Sequence, residues 1–241
     1  MSGPLHGLRE MWDYLSEPAN WQGRSGITHR LAQHMWISVI AIVAASLLAL
    51  PPALWLGHRR KGSISRAMVG IGAAIPPYAL LGILLPISIR LGLGLGFWPT
   101  LATMVVLGVP PIFLNTLAAM AGLDPALLDA ADGLGMRPVE RFRSVELPLA
   151  APFAIGGIGL AAVQVIATAT IGVYAGYVGL GSLLAEGFAQ FDTGRTLAGA
   201  ALVSIPAVVA MWITRRIQRR LTAYRSGGEQ DHSGEVAEAT G

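Results

Sequence analysis

The chain has 241 residues, of which 53% are hydrophobic and only 13% charged, and it contains no cysteine. Soluble domains carry about 25% charged residues, so this composition excludes an ordinary soluble enzyme. The missing cysteine excludes a disulfide framework, a thiolate metal site and a cysteine nucleophile. A net charge of +3 gives no independent reason to expect nucleic acid as a partner.

The few charges leave five stretches without any Asp, Glu, Lys or Arg. A membrane-spanning helix needs about 20 mostly apolar residues, and each stretch is long enough for one. We therefore predict an all-α polytopic membrane protein with about five transmembrane helices. The predicted spans are 34–57, 67–89, 98–121, 147–172 and 196–214.

The distribution of lysine and arginine predicts the orientation of these spans. With one span per stretch, 12 basic residues fall on one side of the membrane and 5 on the other. Cytoplasmic loops carry the basic excess, so we expect the N-terminus outside and the C-terminus in the cytoplasm. The expected parts are an extracytoplasmic segment 1–30, a transmembrane domain 31–215 with a cytoplasmic loop 122–146, and a basic, then disordered tail 216–241.

Two shorter segments have a pattern of their own. Residues 5–15 carry apolar side chains at helical spacing and predict a short amphipathic helix. Residues 172–181 are too rich in glycine for a stable lipid-facing helix. We interpret them as a turn or shallow re-entrant piece on the outer side.

The most informative segment is the loop before the fourth span, where residue types mark both ends of a short helix. Asp124 suits an N-cap and Pro125 the first helical position. Gly135 can take the left-handed conformation that closes a helix, and Pro138 blocks its continuation. The helix has an apolar side at i, i+3, i+4 and i+7, formed by Leu127, Ala130, Ala131 and Leu134. A helix this short needs a docking partner. A groove in a protein suits it better than its own membrane domain or anionic lipid.

This loop resembles the EAA signature of ABC importer permeases, E-A-A-x-x-x-G-x9-I-x-L-P. Asp129, Ala130, Ala131 and Gly135 match its first part, and Val145 to Pro148 match the second. Asp129 stands for Glu and Val145 for Ile, while the spacing agrees throughout. The resemblance extends over about residues 28–215 and is nearest to the osmoprotectant branch, which imports glycine betaine, carnitine or choline. The segments that indicate this branch are Ile75-Pro76, Asn115-Thr116, Gly133 to Met136, Ala167 to Thr170 and Gly179 to Gly181.

The resemblance implies a type I importer permease in which the loop helix is the coupling helix seated in a cleft of a separate ATPase. In that arrangement Leu127, Ala130, Ala131 and Leu134 fill the cleft and Asp129 makes polar contacts at its rim. Gly135 allows the turn, and Leu147 and Pro148 begin the fourth span. The other implied partners are a second permease subunit, which is identical or different, and an extracytoplasmic solute-binding protein. The chain holds a single lysine, Lys61, outside any P-loop pattern, so ATP must bind to a partner and no catalytic residue or cofactor is expected here.

Polar residues inside the charge-free stretches are candidates for a translocation pathway: Tyr78, Asn115, Gln164, Thr168 and Thr170. Hydrogen bonding between helices explains the amides and hydroxyls equally well, and interfacial anchoring explains the aromatics better. The histidines show no metal-ligand spacing. Two alternatives remain open: a permease for another small solute such as an amino acid, and a channel or scaffold subunit that recruits a cytoplasmic partner.

Overall fold

The computed structural model describes residues 4–59 and 75–238, with side chains described for 6–59 and 75–222. Every regular element in these ranges is helical. The α-helices are α1 (Pro4–Ser16), α2 (Ile27–His58), α3 (Pro77–Arg90), α4 (Phe97–Ala121), α5 (Pro125–Gly133), α6 (Pro138–Arg141), α7 (Leu147–Thr168), α8 (Leu180–Gln190) and α9 (Thr193–Glu238). Short 3-10 helices span Pro18–Trp21 and Ala169–Ala175, and a π-helical turn spans Phe142–Glu146.

Four of the predicted spans coincide with helices long and apolar enough to cross a membrane. They are Ile27–His58, Phe97–Ala121, Pro138–Ala175 and Thr193–Thr222. The fifth prediction, 67–89, coincides in its second half with the apolar helix Pro77–Arg90; its residues before 75 lie outside the described ranges. The structure thus confirms the all-helical fold class and lengthens the first and last spans.

The span α2 buries a seam of small residues against its neighbours. Ala41, Ala45, Ala49 and Ala53 recur every fourth residue on α2, and none of them is exposed. Ala45, Ala49 and Ala53 form one continuous cluster with Ile112, Phe113 and Leu117 of α4. Small side chains let two helix backbones approach closely, which is how helices associate where lipid removes the hydrophobic driving force. Gly157 extends this close packing, because a Cβ there would lie 2.9 Å from the Cβ of Asn115.

The helix termini gather at two opposite ends of the bundle, and contacts among them identify each end. The loop end contains His58 at the end of α2 and Glu146 before α7, whose side chains are bonded. The opposite end, called the far end below, contains the starts of α2, α4 and α9 together with α1, the helix predicted at 5–15. There the backbone carbonyl of Glu10 lies so near Gly194 that a Cβ at Gly194 would stand 2.7 Å from it.

The glycine-rich segment at the far end contains a turn, as predicted, and most of its residues are buried. The chain leaves α7 through the 3-10 helix Ala169–Ala175 and reverses at Gly176, whose φ is +86°. Tyr177 then donates from its hydroxyl to the Gln33 carbonyl at 2.8 Å. Burial raises the pKa of Tyr177 to about 12. The sequence also failed to predict α8, which follows directly.

The structure continues α9 as far as Glu238, through the part of 216–241 that composition predicted to be disordered. Extending an existing helix avoids the unfavourable nucleation step, so a sequence too polar to start a helix can still prolong one. The side chains beyond residue 222 are outside the described set.

Candidate functional site

The helix expected in the loop is α5, and its ends lie where residue types predicted them. The Asp124 side chain accepts a hydrogen bond from the backbone N–H of Ala126 at 2.9 Å, which satisfies one of the free donors of the first turn. At the other end Gly135 has a φ of +78°. The N–H of Met136 donates to Ala131 and that of Gly135 to Asp132, the two bonds of a Schellman cap.

The residues predicted to share one apolar side of α5 do not all face outward. Leu127 and Leu134 are 43% and 80% exposed, and Ala130 and Asp129 are exposed as well. Ala131, in contrast, is only 4% exposed and lies with Leu128 on the side that packs against this chain. The expectation that Ala131 belongs to the outward face is therefore corrected. Helical spacing shows which residues of α5 form its apolar side, but part of that side packs against this chain itself.

A series of four charged and polar side chains, here called the charge chain, connects α5 to the loop ends of α2 and α7. Asp132 of α5 accepts from Arg141 Nη1 at 2.5 Å. Arg141 Nε donates to Glu146 Oε1 at 2.9 Å. Glu146 Oε2 lies 2.7 Å from His58 Nδ1 at the end of α2. A carboxylate only accepts, so we assign to Nδ1 of His58 the role of donor in this contact.

Apolar contacts surround the buried part of the charge chain. The rings of His58 and Phe142 meet edge to face, with centroids 5.5 Å apart. An apolar cavity of about 340 Å³ opens beside them, lined by Pro51, Leu54, Trp55, His58, Val139 and Phe142. The Arg59 guanidinium lies 4.5 Å from the centre of the Trp55 ring. Glu146 itself is 2% exposed, so its ion pairs have little competition from water.

The far end has a second set of charges, here called the far-end clamp. Arg30 is 5% exposed and holds Glu186 with two N–H groups at 2.9 and 3.1 Å. It also donates to the hydroxyl of Ser182 at 2.8 Å. Arg195 reaches the same carboxylate at 3.0 Å and donates to the hydroxyl of Tyr14 at 3.2 Å. The clamp thereby joins α1, α2, α8 and α9.

The five pathway candidates have different surroundings. Tyr78 is 61% exposed and meets Tyr174 edge to face at 5.5 Å. Asn115 and Thr170 each donate to a carbonyl, of Pro111 and Ala167 respectively, both at 2.7 Å. Gln164 is half-buried, and Thr168 is only 7% exposed. Leu147, from the second part of the EAA-like motif, is half-buried, while Pro148 is exposed.

The sequence did not reveal the charge chain. His58 looked isolated because its partner is 88 positions away, and Glu146 occupies a variable position of the resembled motif. The one available signal was a carboxylate among the apolar residues Val145, Leu147 and Pro148. A buried carboxylate requires a partner, so its place in that run pointed to an ion pair.

The helical bundle with a protruding, capped loop helix matches a known class of protein. The chain belongs to the family of binding-protein-dependent transport system inner membrane components, whose model matches residues 37–223. It is the membrane-spanning permease subunit of an ATP-binding cassette importer. This assignment favours the importer over the channel or scaffold alternative.

Individual relatives agree with the class. The osmoprotectant import permease protein OsmW of Salmonella typhimurium is 32% identical over 191 residues, which are 79% of this chain and 89% of that protein. The choline transport system permease protein OpuBB of Bacillus subtilis is 32% identical over 197 residues, 81% and 88% of the two chains. A permease fold is also seen in an inward-facing MetNI methionine ABC transporter, with a TM-score of 0.71 at 20% identity over 86% of this chain and 99% of that one.

Proposed function

We propose that this subunit forms the translocation pathway for a small osmoprotectant such as glycine betaine, carnitine or choline across a bacterial inner membrane. The observation that carries the proposal is the 32% identity to permeases named for osmoprotectant and choline transport, over about four fifths of this chain. An alignment of 191 residues in a chain of 241 must include the loop 122–146 and the spans on either side of it.

The proposed complex needs three further components. An ATPase subunit binds and hydrolyses ATP, because this sequence has no P-loop. A second permease subunit completes the pathway, and an extracytoplasmic binding protein captures the solute. The subunit itself acts as a transporter and not as an enzyme, and uses no cofactor of its own.

We assign α5 as the coupling helix that docks on the ATPase. Leu127, Ala130 and Leu134 form the apolar part of the proposed contact, and Asp129 lies at its rim. All four are exposed, although three are apolar or small and so suit a groove of a partner protein. The Schellman cap at Gly135 then turns the chain toward the start of α7 at Leu147 and Pro148. Ala131 is not part of this contact.

The proposed orientation has the loop end in the cytoplasm and residues 1–30 outside. The division of basic residues supports it. Two arginine–tryptophan pairs mark where this end would meet the lipid headgroups: Arg59 lies over Trp55 at 4.5 Å and Arg216 over Trp212 at 4.8 Å, each where the charge-free stretch of its helix ends. Tryptophan and arginine of this kind anchor helices at the lipid headgroups.

Among the residues proposed for the pathway, Tyr78 has the best support. Its ring and that of Tyr174 are both about 60% exposed and stand at 81° to one another. Aromatic faces attract quaternary ammonium groups, which glycine betaine, carnitine and choline all contain. Asn115, Gln164 and Thr170 remain accessible enough to contribute, whereas the burial of Thr168 supports a packing role.

Transport in lipid vesicles tests the proposal. The permease is reconstituted with its ATPase and binding protein, and uptake of labelled glycine betaine, carnitine, choline and methionine is followed with and without ATP. We expect ATP-dependent uptake of at least one quaternary ammonium solute. Uptake of methionine alone would replace the solute class by amino acids, and uptake that persists without the ATPase would contradict the importer.

A further inference from the structure

The charge chain gives the coupling helix a direct connection to two spans, and this connection has a definite arrangement. Asp132 is half-exposed on α5, Arg141 is one-fifth exposed, and Glu146 is buried. Water access thus falls from Asp132 on α5 to a minimum at Glu146, and His58 beyond it is one-quarter exposed.

Glu146 is the point at which the helices meet. Each of its carboxylate oxygens contacts a different element: Oε1 takes the Arg141 bond and Oε2 the His58 bond. A buried carboxylate that loses a partner has no water to replace it. Rotation of α5 away from α2 would draw Arg141 between Asp132 and Glu146. Loss of the Glu146 bond would leave a buried carboxylate that water cannot reach, so the pairs favour movement of these parts together.

Little else holds α5 in place. Its only buried side chains in the described structure are Leu128 and Ala131. Arg141 supplies the bond that fixes its direction, because one guanidinium holds both Asp132 and Glu146. The π-helical turn Phe142–Glu146 follows Arg141 directly. Such turns are rare and recur at functional positions.

We propose that Arg141 and Glu146 are positioning residues that make α5 and the loop ends of α2 and α7 move as one unit when the ATPase closes. This proposal rests on the proposed function, since it concerns how movement of the ATPase reaches the pathway. Arg141 acts through Asp132 and Glu146, and neither ATP nor solute is its contact.

The first test compares the amount of glycine betaine taken up per ATP hydrolysed in the vesicle system. Arg141→Gln should still assemble with the ATPase but should lower this ratio at least about fivefold. That factor is at the lower end of the range of effects that one coupled site has on another. Arg141→Lys keeps the charge but lacks the planar fork whose two nitrogens, Nε and Nη1, reach Glu146 and Asp132, and it should also lower the ratio. The control is Arg143→Gln, since Arg143 is exposed and outside the charge chain. It should behave as the unmodified chain.

Asp132→Asn provides a variant that folds, because Asp132 is at the surface. Combined with Arg141→Gln, it should lower the ratio no further than Arg141→Gln alone, since both remove the same connection. The proposal would be overturned if the losses of the two single variants multiplied in the double variant, or if the single variants left the ratio unchanged. An equal loss in Arg143→Gln would overturn it as well. Arg141→Gln that abolishes assembly while Asp132→Asn leaves the ratio intact would instead make Arg141 a docking residue. Absence of ATP-dependent uptake by the unmodified complex would count against the proposed function.

A second measurement does not depend on the solute. The chain has no cysteine, so spin labels can be attached to Gly133→Cys on α5 and Leu48→Cys on α2 without removing other thiols. A Cβ at Gly133 meets no atom within 4 Å, and Leu48 is 61% exposed. In the assembled complex we expect a narrow distribution of distances between the two labels, and Arg141→Gln should broaden it. An equally narrow distribution in that variant would overturn the proposal.

Discussion

The two ends of the bundle use the same types of residue for different purposes. In the far-end clamp, two arginines converge on the single carboxylate of Glu186, and the set closes on itself among four helices. In the charge chain, one arginine stands between two carboxylates, and the series opens at Asp132 onto an exposed helix. Ion pairs that join four helices to one carboxylate hold those helices together, whereas pairs that end on an exposed helix connect that helix to the bundle. The comparison fits a far end that fixes the bundle and the proposed role of the loop end in coupling to the ATPase.

The largest expected effect is a difference between the two ends in how much an ion-pair variant lowers the free energy of unfolding. Arg30→Gln removes a buried guanidinium and leaves Ser182 and Glu186 without it, which should destabilise the fold by about 2 kcal/mol or more. Thermal unfolding of the purified subunit measures this, with Arg24→Gln, an exposed arginine of the same end, as the control. Asp132→Asn should unfold almost as the unmodified chain does. Equal losses in Arg30→Gln and Asp132→Asn would remove the distinction between the ends.

An intermediate effect is expected for the exposed face of α5. Leu134 is 80% exposed, so Leu134→Glu should leave the subunit's own stability unchanged. It should weaken association with the ATPase by about 2 kcal/mol, as for a central apolar contact. Binding of the purified ATPase to the permease in lipid nanodiscs measures the loss. Leu93→Glu, at an exposed position of the far end, is the control, and an equal loss there would argue against docking on α5.

The smallest effect concerns the N-cap of α5. Asp124→Ala removes the bond to the Ala126 N–H and should destabilise the first turn by about 1 kcal/mol, while Asp124→Ser keeps a capping oxygen. Hydrogen exchange of the first-turn amides should be about fivefold faster in the alanine variant. Exchange at the far end should stay the same. Slowed or unchanged exchange in α5 would mean that packing, and not the cap, determines the helix start.

The sequence predicted local features well because their causes are local. Asp124, Pro125 and Gly135 mark the ends of α5 through the conformations they favour, and those ends are where the structure has them. The contacts of Glu146 and His58 depend on which helices are neighbours, and no spacing along the chain contains that information. The burial of Ala131 and the presence of α8 were missed for the same reason. The positions of the four long spans along the chain were predictable from the absence of charge alone, because lipid excludes charge whichever helices are neighbours.

The capping of α5 has a consequence for assembly. A helix whose two ends are already closed by Asp124 and Gly135 does not need a partner to define its length. In the proposed docking, the ATPase meets a preorganised element, and little conformational entropy is lost at the encounter. The proposal thus lets the membrane subunit fold first and bind its ATPase afterwards, whichever of the two is synthesised first.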